Sequence, residues 1–251
     1  MRKIIILTIF SLLYLTACNN NSNTNQTNNS TCSNDTIRVG IYLYDYPMLY
    51  LSNDNISGLD YDIMNAIADE EDLKLEFIPI NFSGFIPALQ TNYIDIIIAG
   101  MSITEERKKF VKFSDTYLSS SQCVIINKEN ENIKVIDDLK GKTVGVLSGT
   151  VSDSIVSDLE DVKAQRFDIA SSALLSLKVK KVDAVMLERI TCEDYAEYDN
   201  TIKIVEGIEF PEIDYGIAVR KDDDMLLDKI NDGLHKIIND GTHQKLIDKH
   251  L

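Results

Sequence analysis

Histidine, cysteine and basic residues are scarce in this 251-residue chain, and each scarcity removes a class of function. The three histidines, His235, His243 and His250, all fall within the last 17 residues on a helical pattern, so neither a histidine-dependent catalytic triad nor a zinc site is expected, and their expected place is the surface. The four cysteines form no C-x-x-C pair and show no metal-ligand spacing, so no metal or cofactor is expected. Lys and Arg number 25 against 40 Asp and Glu, a net charge of −15, which argues against nucleic acid as a partner. Acidity of this size reads first as a solvated surface. Beyond the N-terminus no apolar run is long enough to span a bilayer.

What the chain does have begins with Arg2 and Lys3, followed by an apolar run over residues 4–10 that continues past Ser11 to Leu15. This pattern predicts a secretory signal peptide over residues 1–17. Its end, Leu15-Thr16-Ala17-Cys18, resembles the lipobox of bacterial lipoproteins. That resemblance implies cleavage before Cys18, its acylation, and export with a lipid anchor in the bacterial cell membrane. Residues 19–35, NNNSNTNQTNNSTCSND, offer almost nothing apolar to offset the entropy of ordering, so 18–35 reads as a flexible tether. Once the signal is removed, 23 basic residues face 40 acidic ones, a net charge of −17. Export permits a disulfide between Cys123 and Cys192, but sequence cannot bring two such distant positions together, and the pairing stays open.

From Thr36 onward the pattern alternates strand and helix: strands at 38–43, 73–79 and 94–98, with helices at 60–71 and 85–91 between them. Helix 60–71 is amphipathic through Ile63, Met64, Ile67 and Ala68. The alternation restarts after Cys123, with strands at 143–147 and 184–187 and helices from about 152 and at 170–177. A last amphipathic helix, 225–240, rests on Leu226, Leu227, Ile230, Leu234, Ile237 and Ile238 and is stopped by Gly241. Two stretches look alike, ALQTNYIDIII at 88–98 and SLKVKKVDAVM at 176–186, each placing a leucine six residues before an aspartate that opens an apolar strand. They suggest two related α/β lobes, or simply one shared helix-to-strand connection.

Chemistry concentrates where strands end. After the β-branched run 94–98, Gly100 permits a turn, and Ser102 with Glu105 has the spacing of a capping box, which predicts a helix start carrying Arg107. Helix amides together with a planar guanidinium fork suit a carboxylate. A second turn, Ser148-Gly149-Thr150, again offers N–H donors ahead of a helix. Glu188, at the end of strand 184–187, would meet the same ligand with the opposite charge. Together these describe a receptor for a zwitterion.

The series GLDYDIMNAIA (58–68), FIPALQTNYIDIIIAGMSITEERKKFVKFSDTY (85–117), DLKGKTVGVLSGT (138–150), VDAVMLE (182–188), YGIAVRKDD (215–223) and INDGLHKIINDGTHQKL (230–246) resembles the substrate-binding lipoproteins of polar amino acid ABC transporters. The resemblance implies a type II periplasmic-binding-protein fold, α/β and two-lobed. Each lobe would hold a mostly parallel sheet flanked by helices: residues 36–121 with 213–251, and residues 122–212, with hinges near 122–125 and 209–214. It implies an L-amino acid ligand with Arg107 on its carboxylate, hydrogen bonds from Ser102, the Gly100 backbone, Thr150 and the Val151 amide, and Glu188 on the α-ammonium. Phe82 and the 42–46 loop, including Tyr42 and Asp45, would line the side-chain pocket. It further implies delivery by a monomer to an ABC permease and its ATPase. Two positions depart from the family pattern: Glu188 stands where Asp is common, and Asp45 where an aromatic often does. Asp45 beside Tyr42, Tyr44 and Tyr46 would favour a cationic side chain. A cyclohexadienyl or arogenate dehydratase on the same fold, with Glu188 catalytic, and a ligand-sensing receptor domain are the alternatives.

Overall fold

The structure, a computed structural model, describes residues 36–251. The expected signal peptide, Cys18 and tether lie outside the described residues.

Two five-stranded sheets organise the chain. The first runs Leu75–Pro79, Ile37–Ile41, Ile96–Ile97, Ala218–Arg220 and Val111–Phe113, with the first three strands parallel and the last two antiparallel. The second repeats that plan with Lys163–Phe167, Thr143–Leu147, Ala184–Glu188, Gln122–Asn127 and Ile202–Ile204. Each sheet is therefore a parallel half joined to an antiparallel half. Around them lie α1 (Leu59–Glu71), α2 (Phe85–Gln90), α3 (Glu105–Lys108), α4 (Val151–Asp158), α5 (Ala170–Lys178), α6 (Arg189–Tyr198), α7 (Asp224–Asn239) and α8 (Thr242–His250).

The two sequence stretches that look alike fold alike. Asp95 N–H donates to the Arg38 carbonyl at 2.7 Å while its carboxylate accepts the Arg38 N–H at 3.0 Å. Asp183 makes the same exchange with Thr143, at 2.8 Å in both directions. The connections before them also match, since Tyr93 and Ile94 bond to the Ala88 carbonyl as Lys181 and Val182 bond to that of Ser176. Each aspartate thus pins the third strand of its lobe beside the first, and in the first lobe it also takes two side-chain bonds from Arg38 at 2.9 Å.

Helix α1 buries Ile63, Met64, Ile67 and Ala68, as its periodicity predicts, against α7 through Ile230, Leu234 and Ile237. The approach is close: a Cβ on Gly233 would stand 2.9 Å from the Ile67 side chain and 3.1 Å from its carbonyl oxygen. Ile238, assigned to the apolar stripe by sequence, is instead 43 % exposed. Gly241, at φ 81°, ends α7 as expected, but the chain turns there into α8. Two histidines consequently leave the expected surface role. His243 bonds to the Tyr117 carbonyl at 2.7 Å, and His250, its side chain 6 % exposed, pairs with Asp62 at 2.7 Å.

The chain passes between sheets as a two-stranded antiparallel ribbon, Leu118–Ser120 against Ile213–Tyr215. Residues 122–125, expected at the outgoing hinge, lie inside the Gln122–Asn127 strand of the second sheet. Cys123 on that strand and Cys192 on α6, left open by sequence, form a disulfide.

Candidate functional site

Loops at the carboxyl ends of the parallel strands of both sheets face one another, the usual place for a ligand in an open α/β sheet. Tyr42 and Asp45 follow Ile37–Ile41, Gly100 follows Ile96–Ile97, Thr150 follows Thr143–Leu147, and Glu188 ends its own strand. With Phe82 they line a single cleft. Ser102, Arg107 and Val151, the other expected site residues, are not among its lining residues.

The local chemistry around Arg107 differs from the expected capping box. Thr104, not Ser102, caps α3, its hydroxyl accepting the Arg107 N–H at 3.2 Å. Ser102 is drawn away because it forms a β-bridge with Tyr215. Helix α3 is four residues long, so it offers no row of helix amides to an anion, and the guanidinium is the cationic group this segment presents. Arg107 is only 8 % exposed. It donates through one terminal nitrogen to the Ser102 carbonyl at 2.9 Å and through the other to the Gly149 carbonyl at 3.1 Å, and packs 5.2 Å from the centre of the Phe82 ring. Among the described residues no carboxylate lies within ion-pair distance of it. Burial lowers its pKa, opposed chiefly by the charge of Glu188. Burial raises the pKa of Glu188, opposed in part by Arg107. The two expected poles therefore sense each other across the cleft.

The second turn also differs in detail. The N–H groups of Ser148, Gly149 and Thr150 are already taken, by the Phe167 carbonyl, the Asp153 carboxylate and the Leu147 carbonyl. Thr150 spends its hydroxyl on the Leu147 carbonyl and on capping α4 through the Asp153 N–H. The open donors of this turn are the Val151 and Ser152 amides at the start of α4, which have no intrahelical partner.

Hydrogen bonds that join the lobes include Tyr42 hydroxyl to the Asp168 carbonyl at 2.6 Å, Thr191 hydroxyl to the Asp45 carboxylate at 2.9 Å, and Arg107 to the Gly149 carbonyl. Gly149, at φ 78°, lies so close to the opposite lobe that a Cβ would stand 3.3 Å from the Ser83 Cα. Burial and the neighbouring Glu188 push the Asp45 carboxyl up to about 7, against the Thr191 bond, which favours its charged form.

Sequence reasoning missed Asp60, Thr191 and Tyr215. Asp60 is fully buried and accepts the Gly100 N–H and the Tyr117 hydroxyl, both at 2.8 Å, so it holds the Gly100 turn in place. Burial pushes it up to about 7 despite those two donors. A signal existed: Asp60 falls one turn before Ile63 and Met64 on the apolar stripe of α1, where an acid must find buried partners. Tyr215 lines the cleft with its hydroxyl buried and unpartnered among the described residues. Thr191 carried no local signal, since its partner Asp45 lies 146 residues away.

A family profile described as "Bacterial extracellular solute-binding proteins, family 3" matches residues 37–251. The arginine-binding extracellular protein ArtP of Bacillus subtilis is 31 % identical over 211 residues, 82 % of each chain. Among solved structures, an ancestral arginine-binding protein bound to arginine superposes with a TM-score of 0.82 at 42 % identity, covering 86 % of this chain and 98 % of its own. AncCDT-1, an ancestral amino acid-binding protein described as a precursor of cyclohexadienyl dehydratase, superposes at 0.80 with 34 % identity, over 86 % of this chain and 95 % of its own.

Proposed function

Because the chain belongs to family 3 of the bacterial extracellular solute-binding proteins, we propose that it captures a free polar L-amino acid by lobe closure and delivers it to an ABC permease and its ATPase. The observation that carries this reading is a buried Arg107 in one lobe with no carboxylate in ion-pair contact, its charge felt by Glu188 on the cleft wall of the other lobe. A zwitterion supplies the missing partners for both. Its carboxylate takes the free N–H groups of Arg107 and the Val151 amide, and its ammonium takes Glu188. Gly100 and Ser102 shape the wall beside Arg107, Thr150 holds the α4 turn, and Phe82, Tyr42 and Asp45 surround the side chain.

Ligand contacts to both rims would favour the closed arrangement, with the Leu118–Ser120 and Ile213–Tyr215 ribbon as the pivot between lobe 1 (36–121 with 213–251) and lobe 2 (122–212). In this reading the mature protein is a monomer held at the membrane by acylated Cys18. The test is a thermal-shift screen across the twenty amino acids plus ornithine and cystine. A ligand at a hundred times its Kd adds about 2.7 kcal/mol of stability, a shift of several degrees for a domain of this size. A screen in which no amino acid moves the transition sinks the reading.

The dehydratase-related neighbour and the two cleft carboxyls with raised pKa values favour one other reading, an acid–base enzyme acting through Glu188. Turnover of prephenate or arogenate by the purified protein would decide for it.

A further inference from the structure

The charges in the cleft do not balance for a neutral amino acid. Among the described residues Arg107 is the one buried cation, and an amino acid's own carboxylate and ammonium offset it and Glu188 in turn. Asp45 is left over. Among the described residues its only hydrogen-bond partner is the Thr191 hydroxyl on Oδ1, and no basic side chain lies within ion-pair distance of it. Its Oδ2 points toward Gly100, 3.8 Å from where a Cβ on that glycine would stand, and is free of any bond. Asp60, the other acid near the cleft, is already satisfied by Gly100 and Tyr117. The Tyr215 hydroxyl is buried on the same wall.

We propose that Asp45 is the specificity-determining residue of the cleft, taking the side-chain cation of a ligand that is an amino acid with a second positive charge. The proposal rests on the amino acid reading above and names its ligand class. Tyr42 on the cleft wall, packed edge to face with Tyr44 at 5.8 Å, offers an aromatic ring to such a side chain.

Proton exchange follows from the same geometry. Two carboxyls that face each other across a cleft cannot both ionise without cost, and Asp45 and Glu188 repel each other when no cation stands near them. The groups around Asp45 are Glu188 from the second lobe, Asp60 from α1, and the phenols of Tyr42, Tyr195 and Tyr215, none of them cationic. Without ligand, Asp45 is therefore partly protonated near neutral pH. A guanidinium or ammonium arriving beside it favours the carboxylate and drives that proton into solvent. The ligand's own side chain stays charged from pH 6 to 8, and all three histidines sit on α7 or α8, so the effect belongs to the cleft.

Isothermal titration calorimetry tests this on the wild-type protein. Arginine should bind roughly tenfold more tightly at pH 8 than at pH 6, and at pH 7 its binding heat should differ between phosphate and Tris buffers by the release of about half a proton. Glutamine should show neither effect. Asp45→Asn should lose the preference for arginine over glutamine together with the pH slope, while Asp45→Glu, which keeps the charge, retains both; the thermal transition of each variant reports its folding. Arginine binding without proton release, or an Asp45→Asn protein that keeps the preference, overturns the proposal alone. If no amino acid binds the wild type at any pH, the amino acid reading falls and takes this inference with it.

Discussion

Removing the Arg107 guanidinium separates a binding role from a structural one. The group carries five N–H donors, of which two are spent on the Ser102 and Gly149 carbonyls, so three remain and a carboxylate can take two of them. Truncation to alanine leaves the ligand carboxylate unpaired in the cleft and deprives both carbonyls of their donor. Losing one member of a buried hydrogen-bonded charge pair costs about 2 to 5 kcal/mol of binding, roughly a thirtyfold to several-thousandfold rise in Kd. Lysine keeps the charge but not the planar fork and should fall between. Methionine is the more informative change. Arg107 is 8 % exposed with no carboxylate beside it, so an apolar residue of similar length removes a buried charge, which offsets the donors lost to the two carbonyls, and should change thermal stability little while abolishing binding. Titration calorimetry gives the affinities and calorimetric unfolding the stabilities. A rise in Kd of less than threefold for Arg107→Ala, accompanied by a large loss of stability for Arg107→Met, would refute the reasoning and leave Arg107 as a structural strut.

Asp60→Asn should cost about 1 to 3 kcal/mol, because the Gly100 N–H and the Tyr117 hydroxyl sit on separate carboxylate oxygens and an amide replaces one of those acceptors with an NH2 donor. The sign with pH is opposite to that of a salt-bridged acid. An unfolded Asp titrates near 4 and folded Asp60 at about 7, so the folded state holds the extra proton between them and Asp60's contribution weakens as pH rises from 4 to 7. The stability advantage of wild type over Asp60→Asn should therefore shrink across that range in urea titrations, and an advantage that grows would contradict it. Gly149→Ala should lose about 1 to 2 kcal/mol from its left-handed backbone and weaken ligand binding several-fold, because the new Cβ would meet Ser83 of the opposite lobe at 3.3 Å and resist closure. Unchanged affinity would mean that the two loops do not meet in the liganded protein.

The parts of this molecule that could be read ahead of the structure are those with short-range causes. The stripe of α1, the strand Thr143–Leu147 and the helix-to-strand connections ahead of Asp95 and Asp183 depend on residues within seven of one another, and all appear where the sequence pattern puts them. Boundaries that depend on competition did not come out as read. Ser102 has good cap chemistry, but its pairing with Tyr215 takes it into a β-bridge and hands the cap to Thr104. The Ser148-Gly149-Thr150 amides looked free because Asp153 and Phe167, which occupy two of them, act through turns and strands that sequence spacing does not display.

By itself the sequence determined an α/β chain with a repeated helix-to-strand pattern, and one arginine and one glutamate at strand ends. Tertiary structure alone decided which of these groups share a cleft: that Asp45 meets Thr191, that Tyr42 reaches Asp168, and that Cys123 joins Cys192, contacts that span 146, 126 and 69 residues. The reason is physical. Helix and strand patterns arise from hydrogen bonds and burial within a few residues, whereas a site between lobes is set by where the sheet ends and the ribbon between them bring distant loops, and no local spacing records that distance.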